Sequence, residues 1–397
     1  MPIRRQRDLT PLILAGGIVA LWGLMHLLIG GSFFGPSFYN TYTRQALAWR
    51  QGLMHLPQDV PYLELAVYEG EYYVSFPPLP SVILWPLTFL FGMDTPDNLL
   101  VKLYALGACL LMYQALRRAG YQRVNAGLLA FFFCFASSLL PMTLNGAVWY
   151  HAQGLAFFLA TAAVCFLSMD RPTLMLLCYA LSVACRPFNA LYALPIFFTY
   201  ASLNDKARIP LQKTARDLAP GIALGLCVAA ALGLYNFARF SDPLEFGHNY
   251  LPEFSFQGGI QFSIAHVGNH LKTFLWGLPL EWNGAALSFK KFGYSMLLAC
   301  PTLLLTLVWA ARDVVVKRMT REKAVILFTC VMHGFFLLFH RTFGGFQLGA
   351  RYAVDLIPYT FFYLILTPEK KSLHWAEGAF LAAVQLFTMV GITQVHI

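Results

Sequence analysis

Three carboxylates and four aromatic rings share one short stretch, Leu63-Glu-Leu-Ala-Val-Tyr-Glu-Gly-Glu-Tyr-Tyr-Val-Ser-Phe-Pro-Pro-Leu-Pro80. A general base must be ionised and must stand beside the hydroxyl it activates. Glu64 lies between Leu63 and Leu65 with Tyr62 and Tyr68 close by, a partly apolar setting that can tune a carboxyl group. Glu69 and Glu71 bracket Gly70 and read as an exposed turn. Glu64 is therefore the leading candidate base and Asp59 the second. The competing reading is a solvated acidic loop.

Arginines supply the complementary chemistry. Arg186 precedes Pro187 between two apolar segments, Arg239 follows Tyr235-Asn236, and Arg341 and Arg351 flank Thr342-Phe-Gly-Gly-Phe-Gln-Leu-Gly-Ala350. A guanidinium is costly at membrane depth and matches phosphate in a two-pronged geometry. Arg186, Arg351, Arg239 and Arg341 are thus candidate phosphate ligands. The alternative is internal ion pairing, with Arg351 and Asp355 at i,i+4 the obvious pair. Tyr72, Tyr73 and Trp149 offer rings for stacking on a sugar face. His151, in Trp149-Tyr-His-Ala-Gln153, is a candidate hydrogen-bond partner for substrate, and a structural histidine is the plainer reading. His266 and His270 share a helical spacing with no carboxylate nearby to complete a zinc site. No compact acidic cluster resembles a metal cage, and whether a divalent metal takes part stays open. A Walker loop, a dinucleotide fingerprint and a nucleophile elbow are all missing, which removes nucleotide and serine hydrolysis.

The elements that must position these groups are membrane helices. Only 12% of the residues are charged against 58% hydrophobic, too few for an ordinary soluble domain. Apolar runs near the ~20 residues that cross a bilayer recur throughout. Leu9–Ile29, preceded by Arg4, Arg5 and Arg7, reads as an uncleaved signal-anchor. Further spans are expected near 98–116, 124–142, 148–169, 173–185, 188–203, 218–237, 294–311, 324–339, 353–367 and 375–395, making about eleven transmembrane helices in one all-α polytopic unit over 1–397. With the amino terminus inside, 18 of the 28 basic but only 8 of the 19 acidic residues fall on the inner face, as short cytoplasmic loops require. The formal charge of +9 is then a topology signal and gives a nucleic-acid partner no support. Residues 79–92 carry Pro80 and Pro86 just after Pro77 and Pro78, and read as a helix embedded in the outer leaflet. An amphipathic helix over 41–54 is expected to lie on the membrane surface through Ala46, Leu47, Trp49, Leu53 and Met54. Residues 30–97 thus form a membrane-hugging first outer loop with the catalytic groups, and 238–293 a second outer loop acting as a cap. All eight cysteines fall inside expected spans, so no disulfide framework is implied.

This order of elements resembles the GT-C superfamily of polyprenyl-phosphate-sugar-dependent glycosyltransferases, which includes protein mannosyltransferases and aminoarabinose transferases. Phe76-Pro-Pro-Leu-Pro80 leads the embedded helix, and the next span ends in Arg117-Arg118-Ala-Gly120. Bacterial members carry strings similar to Glu64-Leu-Ala-Val-Tyr-Glu-Gly-Glu-Tyr-Tyr73, Cys185-Arg-Pro187, Tyr235-Asn-Phe-Ala-Arg-Phe240, Leu244-Glu-Phe-Gly247 and Gly349-Ala-Arg-Tyr-Ala-Val-Asp355. The resemblance implies inverting transfer of a sugar from a polyprenyl-phosphate donor to a hydroxyl of a glycan, lipid or protein acceptor, at the outer face of a bacterial plasma membrane. It also implies an acid of the first outer loop as base and basic side chains on the donor phosphate. Many members place an acid just after the first span, where this chain has Ser37-Phe-Tyr-Asn40, which moves the base to Glu64 or Asp59. A lipid or solute transporter with an arginine anion site is the competing class. It leaves the acidic loop unexplained and lacks the internal repeat common in transporters. A non-catalytic assembly subunit is a third reading.

Overall fold

The computed structural model describes residues 8–255, 260–282, 284–367 and 372–395. The inner-face charges Arg4, Arg5, Arg7, Glu369, Lys370 and Lys371, and part of the 238–293 cap, lie outside the described residues. Helices α1 (Thr10–Ile29) and α2 (Thr41–Arg50) lead into a ribbon of β1 (Leu65–Tyr68) and β2 (Glu71–Val74). There follow α3 (Leu79–Phe91), α4 (Asp97–Arg118), α5 (Arg123–Phe135), α6 (Leu139–Met142), α7 (Val148–Ser168), α8 (Pro172–Cys185), α9 (Ala193–Lys206) and α10 (Leu211–Phe240). The second half comprises α11 (Pro252–Ser255), α12 (Val267–Trp276), β3 (Leu280–Trp282), β4 (Leu287–Phe289), α13 (Met296–Ala299), α14 (Pro301–Val315), α15 (Arg321–Leu337), α16 (Ile357–Ile365) and α17 (Trp375–Val395). Among the described residues five helices are long and apolar enough to cross a membrane: α1, α4, α7, α10 and α17.

Several expected spans are broken, each for a local reason. The run 124–142 divides between α5 and α6 because Ser137 Oγ donates to the Cys134 carbonyl and accepts from the Leu139 amide, an alternative to the helical ladder. The run 294–311 divides at Cys300, which sits at φ −134°, ψ 77° ahead of Pro301. A residue before proline is pushed out of the helical region. The same rule extends Arg186 to φ −143°, ψ 105° ahead of Pro187, ends α8, and turns 187–192 into a 3₁₀ segment.

The helix α7 is the hub. Four-fifths of its apolar window, 83%, is buried, against 6% for α10 at the periphery. Its start meets the start of α4, so these two helices run parallel: the Gly146 amide donates to Asn98 Oδ1 at 2.6 Å, and a Cβ on Gly146 would fall 2.6 Å from the Asp97 backbone. The segment 30–97 closes on the same corner, where the Ser37 amide donates to Asp97 Oδ1 at 2.6 Å. Residues 30–97 thus form a lobe whose small core of Tyr42, Ala46, Leu56, Leu63, Leu65, Val74 and Leu84 is completed by Val148 and Ala152 of α7. Inside it α2 departs from the expected surface helix. Thr41, Tyr42, Thr43, Gln45, Ala46 and Ala48 are all buried, and Ser81 Oγ donates to Gln45 Oε1 at 2.6 Å, so α2 is walled in by α3.

The ribbon β1–β2 is a second departure from an all-α reading. Glu69 (φ 52°) and Gly70 (φ 83°) form a two-residue turn with both residues left-handed, the hairpin geometry that matches strand twist. Arg239 on α10 pins it by donating from Nη1 to the Val74 carbonyl at 2.8 Å. Asp97→Ala removes the buried acceptor of the Ser37 amide. It should lower stability by about 1–3 kcal/mol, measured as a shift of the unfolding midpoint in detergent.

Candidate active site

The end of the bundle where α4 and α7 begin gathers most of the candidate residues. Glu64 immediately precedes β1, and Trp149 occupies the first turn of α7. The indole Nε1 donates to Glu64 Oε2 at 3.1 Å. Tyr39 stands beside the indole with ring centroids 5.1 Å apart. Solvent reaches the Glu64 side chain, while protein packs around its carboxyl group. Burial pushes its carboxyl above the ordinary glutamate value, the Trp149 hydrogen bond and the Arg351 charge oppose that rise, and Glu253 adds to it. Asp59 is exposed on the loop, with no hydrogen bond among the described residues.

One turn along α7 from Trp149, Gln153 Nε2 donates to Asp355 Oδ1 at 3.0 Å and to the Arg351 carbonyl at 2.7 Å. Arg186 Nε and Nη2 both approach Asp355 Oδ2 at 2.7 Å. The buried Asp355 is further fixed by Tyr192, whose hydroxyl donates to its backbone carbonyl at 2.6 Å. The pairing expected at i,i+4 between Arg351 and Asp355 does not form. Residues Arg351–Leu356 wind as a 3₁₀ helix, with three residues per turn, so positions four apart leave the shared face.

Arg351 is held by neutral groups instead. Its Nε donates to the Gly344 carbonyl at 2.7 Å, and Nη2 lies 3.5 Å from the Tyr352 hydroxyl. Gly344 sits at φ 121°, where a Cβ would stand 2.6 Å from Gln347 Nε2, so the loop that presents this carbonyl needs a glycine there. Tyr352 stands beside both guanidinium groups, with Arg351 Cζ 4.7 Å and Arg186 Cζ 5.4 Å from its ring centroid. Asp355 answers one of these two cations. The other has no carboxylate bonded to it among the described residues. Nearby His340 is neutral at ordinary pH because burial lowers it to about 4, and the same holds for His248.

The remaining candidates serve other contacts. Arg239 bonds Val74 and Asn236 and lies over the rings of Tyr235 and Phe240. Arg341 Nη1 approaches the Glu253 carbonyl at 3.4 Å, and its amide donates to Gln261, tying the 341–350 loop to the segment 238–293. His151 is fully buried with Nε2 3.2 Å from the Tyr104 hydroxyl. Tyr73 packs on Phe240 with centroids 5.1 Å apart, and Tyr72 packs against the small core of the lobe. His266 and His270 stack and each meets a backbone carbonyl. Asp355, Gln153 and Tyr352 were not singled out as site residues in the sequence. The available signals were a glutamine in an apolar span, at i+4 from Trp149, and a tyrosine next to Arg351.

No family model matches the chain, and no curated protein matches it. Among solved structures, ArnT from Cupriavidus metallidurans bound to undecaprenyl phosphate aligns with a TM-score of 0.51 and 14% identity over 95% of this chain and 62% of its own. The Archaeoglobus fulgidus oligosaccharyltransferase in the apo form aligns at 0.45 and 13% identity, covering 98% of this chain and 55% of its own. AglB from the same archaeon, in complex with an inhibitory peptide and a dolichol-phosphate, aligns at 0.48 and 11%, covering 98% and 56%. This chain thus spans less than two thirds of the length of each. The likeness to ArnT shows a shared fold, in agreement with the resemblance to GT-C members noted in the sequence.

Two outcomes follow from this geometry. Arg186→Met strands a buried carboxylate and should cost about 3–5 kcal/mol, whereas Arg351→Met, which loses neutral acceptors, should cost about 1–3 kcal/mol; denaturant titration in detergent separates them. Because the folded state holds the Glu64 proton more tightly than the unfolded chain, stability falls as pH rises from about 4.5 through the raised value. Glu64→Gln should therefore be at least as stable as the parent at neutral pH.

Proposed function

We propose that the chain is an inverting glycosyltransferase. It moves a hexosyl or pentosyl group from a polyprenyl-phosphate donor to an acceptor hydroxyl on a glycan, lipid or protein, at the outer face of a bacterial plasma membrane. The observation that carries this reading is a carboxyl raised above its ordinary value, Glu64 on Trp149, which feels the charge of Arg351, itself paired with Arg186 at Tyr352. The undecaprenyl phosphate bound to ArnT, a protein of the same fold, supports the donor class.

In this mechanism the acceptor oxygen attacks the anomeric carbon from the face opposite the phosphate. The new carbon–oxygen bond forms as the bond to phosphate oxygen breaks, and Glu64 takes the hydroxyl proton. Negative charge growing on the departing polyprenyl phosphate is offset by Arg351 and by the unpaired Nη1 of Arg186, in a setting where water competes poorly. Asp355 and Gln153 hold Arg186 and the Arg351 backbone in place, so the cations need little reorganisation. Tyr72, Tyr73, Trp149 and His151 are assigned to the sugar side, Arg239 and Arg341 to the donor's approach, and Asp59 is the alternative base. Among the described residues no three His, Cys, Asp or Glu side chains converge as a divalent-metal cage requires, so no step is derived through a metal. The topology assigned is about eleven spans, with the amino terminus inside, 30–97 as the catalytic lobe and 238–293 as the cap.

Glu64→Gln should keep donor binding and lose transfer by about 10²–10⁴-fold, and Asp59→Asn should leave it intact; the reverse result makes Asp59 the base. The acid limb of the transfer rate should lie above the ordinary glutamate value, and Trp149→Phe should move it higher still by removing the indole hydrogen bond. Glu69 sits exposed at the hairpin turn. Glu69→Cys, with Cys227 replaced by serine, should be labelled by an impermeant thiol reagent on intact cells, and protection there sinks the assigned orientation.

A further inference from the structure

The end of the bundle away from Glu64 carries a crevice that the transfer reaction leaves unused. It has a volume of about 180 Å³ and lies between the carboxyl-terminal ends of α4, α7 and α16 and the side of α9. Ala115 and Ala119, one turn apart at the end of α4, open the gap that larger residues would fill. Leu167, Leu203, Phe362, Ile365 and Leu366 make the remaining wall apolar. Two polar groups stand out. Arg118, at the mouth, is exposed and makes only a 3.4 Å contact to the Met169 carbonyl. Thr199, 1% exposed on the wall, has a hydroxyl with no partner among the described residues.

The other cations at this end are divided: Lys323 pairs with Asp313 at 2.8 Å, while Arg208, Lys213, Arg216, Arg312, Lys317, Arg318 and Arg321 carry no side-chain pairing among the described residues and do not line the crevice. Arg117 bonds the Tyr121 carbonyl, Arg123 lies 3.7 Å from Asp8, and Lys206 pairs with Glu322 at 2.5 Å. Arg171 and Asp170 are exposed with no side-chain pairing among the described residues. Arg118 is a cation with most of its donors open, placed over a mainly apolar slot lined by two hydroxyls: Ser168, which donates to the Cys165 carbonyl at 2.7 Å, and Thr199, which has no partner among the described residues. An apolar slot of this size does not hold water well, and between membrane helices the available filler is an acyl chain. A buried hydroxyl without a partner is costly, and a lipid ester carbonyl is the acceptor that lies one step below a headgroup phosphate.

We propose that this crevice binds an anionic phospholipid, with an acyl chain in the slot, an ester carbonyl accepting from the Thr199 hydroxyl, and the phosphate on Arg118. Basic pockets between membrane helices recognise acidic lipids by the same combination. The site is separate from the chemistry at Glu64, so Glu64→Gln protein should bind the lipid as the parent does.

Delipidated full-length protein in detergent, titrated with phosphatidylglycerol or phosphatidylcholine of identical chains and read by native mass spectrometry, tests it. The parent should retain one phosphatidylglycerol in preference to phosphatidylcholine. Arg118→Gln should weaken phosphatidylglycerol about tenfold and abolish the preference, following the loss of a charged hydrogen bond. Ala119→Phe should block both lipids, and Thr199→Val should weaken both while keeping the preference. Equal binding by the parent, Arg118→Gln and Ala119→Phe overturns the proposal. Competition by glycerol phosphate as effective as that of the lipid also overturns it, since the site would then be one for free phosphate. Arg118 is exposed, so its variant stays informative should Ala119→Phe fail to fold.

Discussion

Everything at the open end of the bundle depends on one buried ion pair. Asp355 shares its two oxygens between Gln153 on α7 and Arg186 at the break after α8, while Tyr192 holds its backbone. A lone carboxylate at that depth is strongly disfavoured, and so is a lone guanidinium. Each therefore fixes the other, and together they join the hub helix, the Arg-Pro break and the 3₁₀ segment into one frame. Arg351 inherits its position from that frame through the Gln153 bond to its carbonyl.

The pair also sorts the cations by task. A guanidinium already answered by a carboxylate acts on another anion mainly through its free N–H groups, whereas one held by a carbonyl and a phenol also keeps its full charge available. Proximity in the fold puts both beside Tyr352, so the local balance is one surplus positive charge that Glu64 feels. That arrangement suits a reaction in which a proton is taken at one point and negative charge appears at another. In the segment 30–97 the same economy recurs: Asp97 closes the lobe on the Ser37 amide, leaving Glu64 as the carboxylate that meets Trp149.

Long helices with clear ends were legible from residue order. The observed bounds of α1 and α7 lie within a residue of those expected, because apolar runs there meet proline, glycine or charge at each end. The proline-rich helix α3 and the Glu-Gly turn were legible too. Arg186 and Arg351 drew notice because a cation in an apolar chain is anomalous. Their partners were hidden, because a helical wheel pairs Arg351 with Asp355 only while the backbone keeps 3.6 residues per turn. The broken spans were hidden as well: Ser137 redirects hydrogen bonds locally, a competition that hydropathy does not register. The enclosure of α2 depends on Thr41, Thr43 and Gln45 being buried, which no apolar pattern announces.

Peripheral α10 has a mechanical consequence. Its 30 residues reach about 45 Å, longer than the ~30 Å hydrocarbon layer of a bilayer. Few of its apolar residues are fully buried, and its one packed side lies along α8, where Gly221 meets Leu176 and Gly225 meets Ala180. At its far end Arg239 grips the carbonyl of Val74, the last residue of β2, which pairs with Leu65, the residue that follows Glu64. One helix therefore joins α8 at its side to the hairpin at its end, so the position of the strand that follows Glu64 is tied to how α8 and α10 pack.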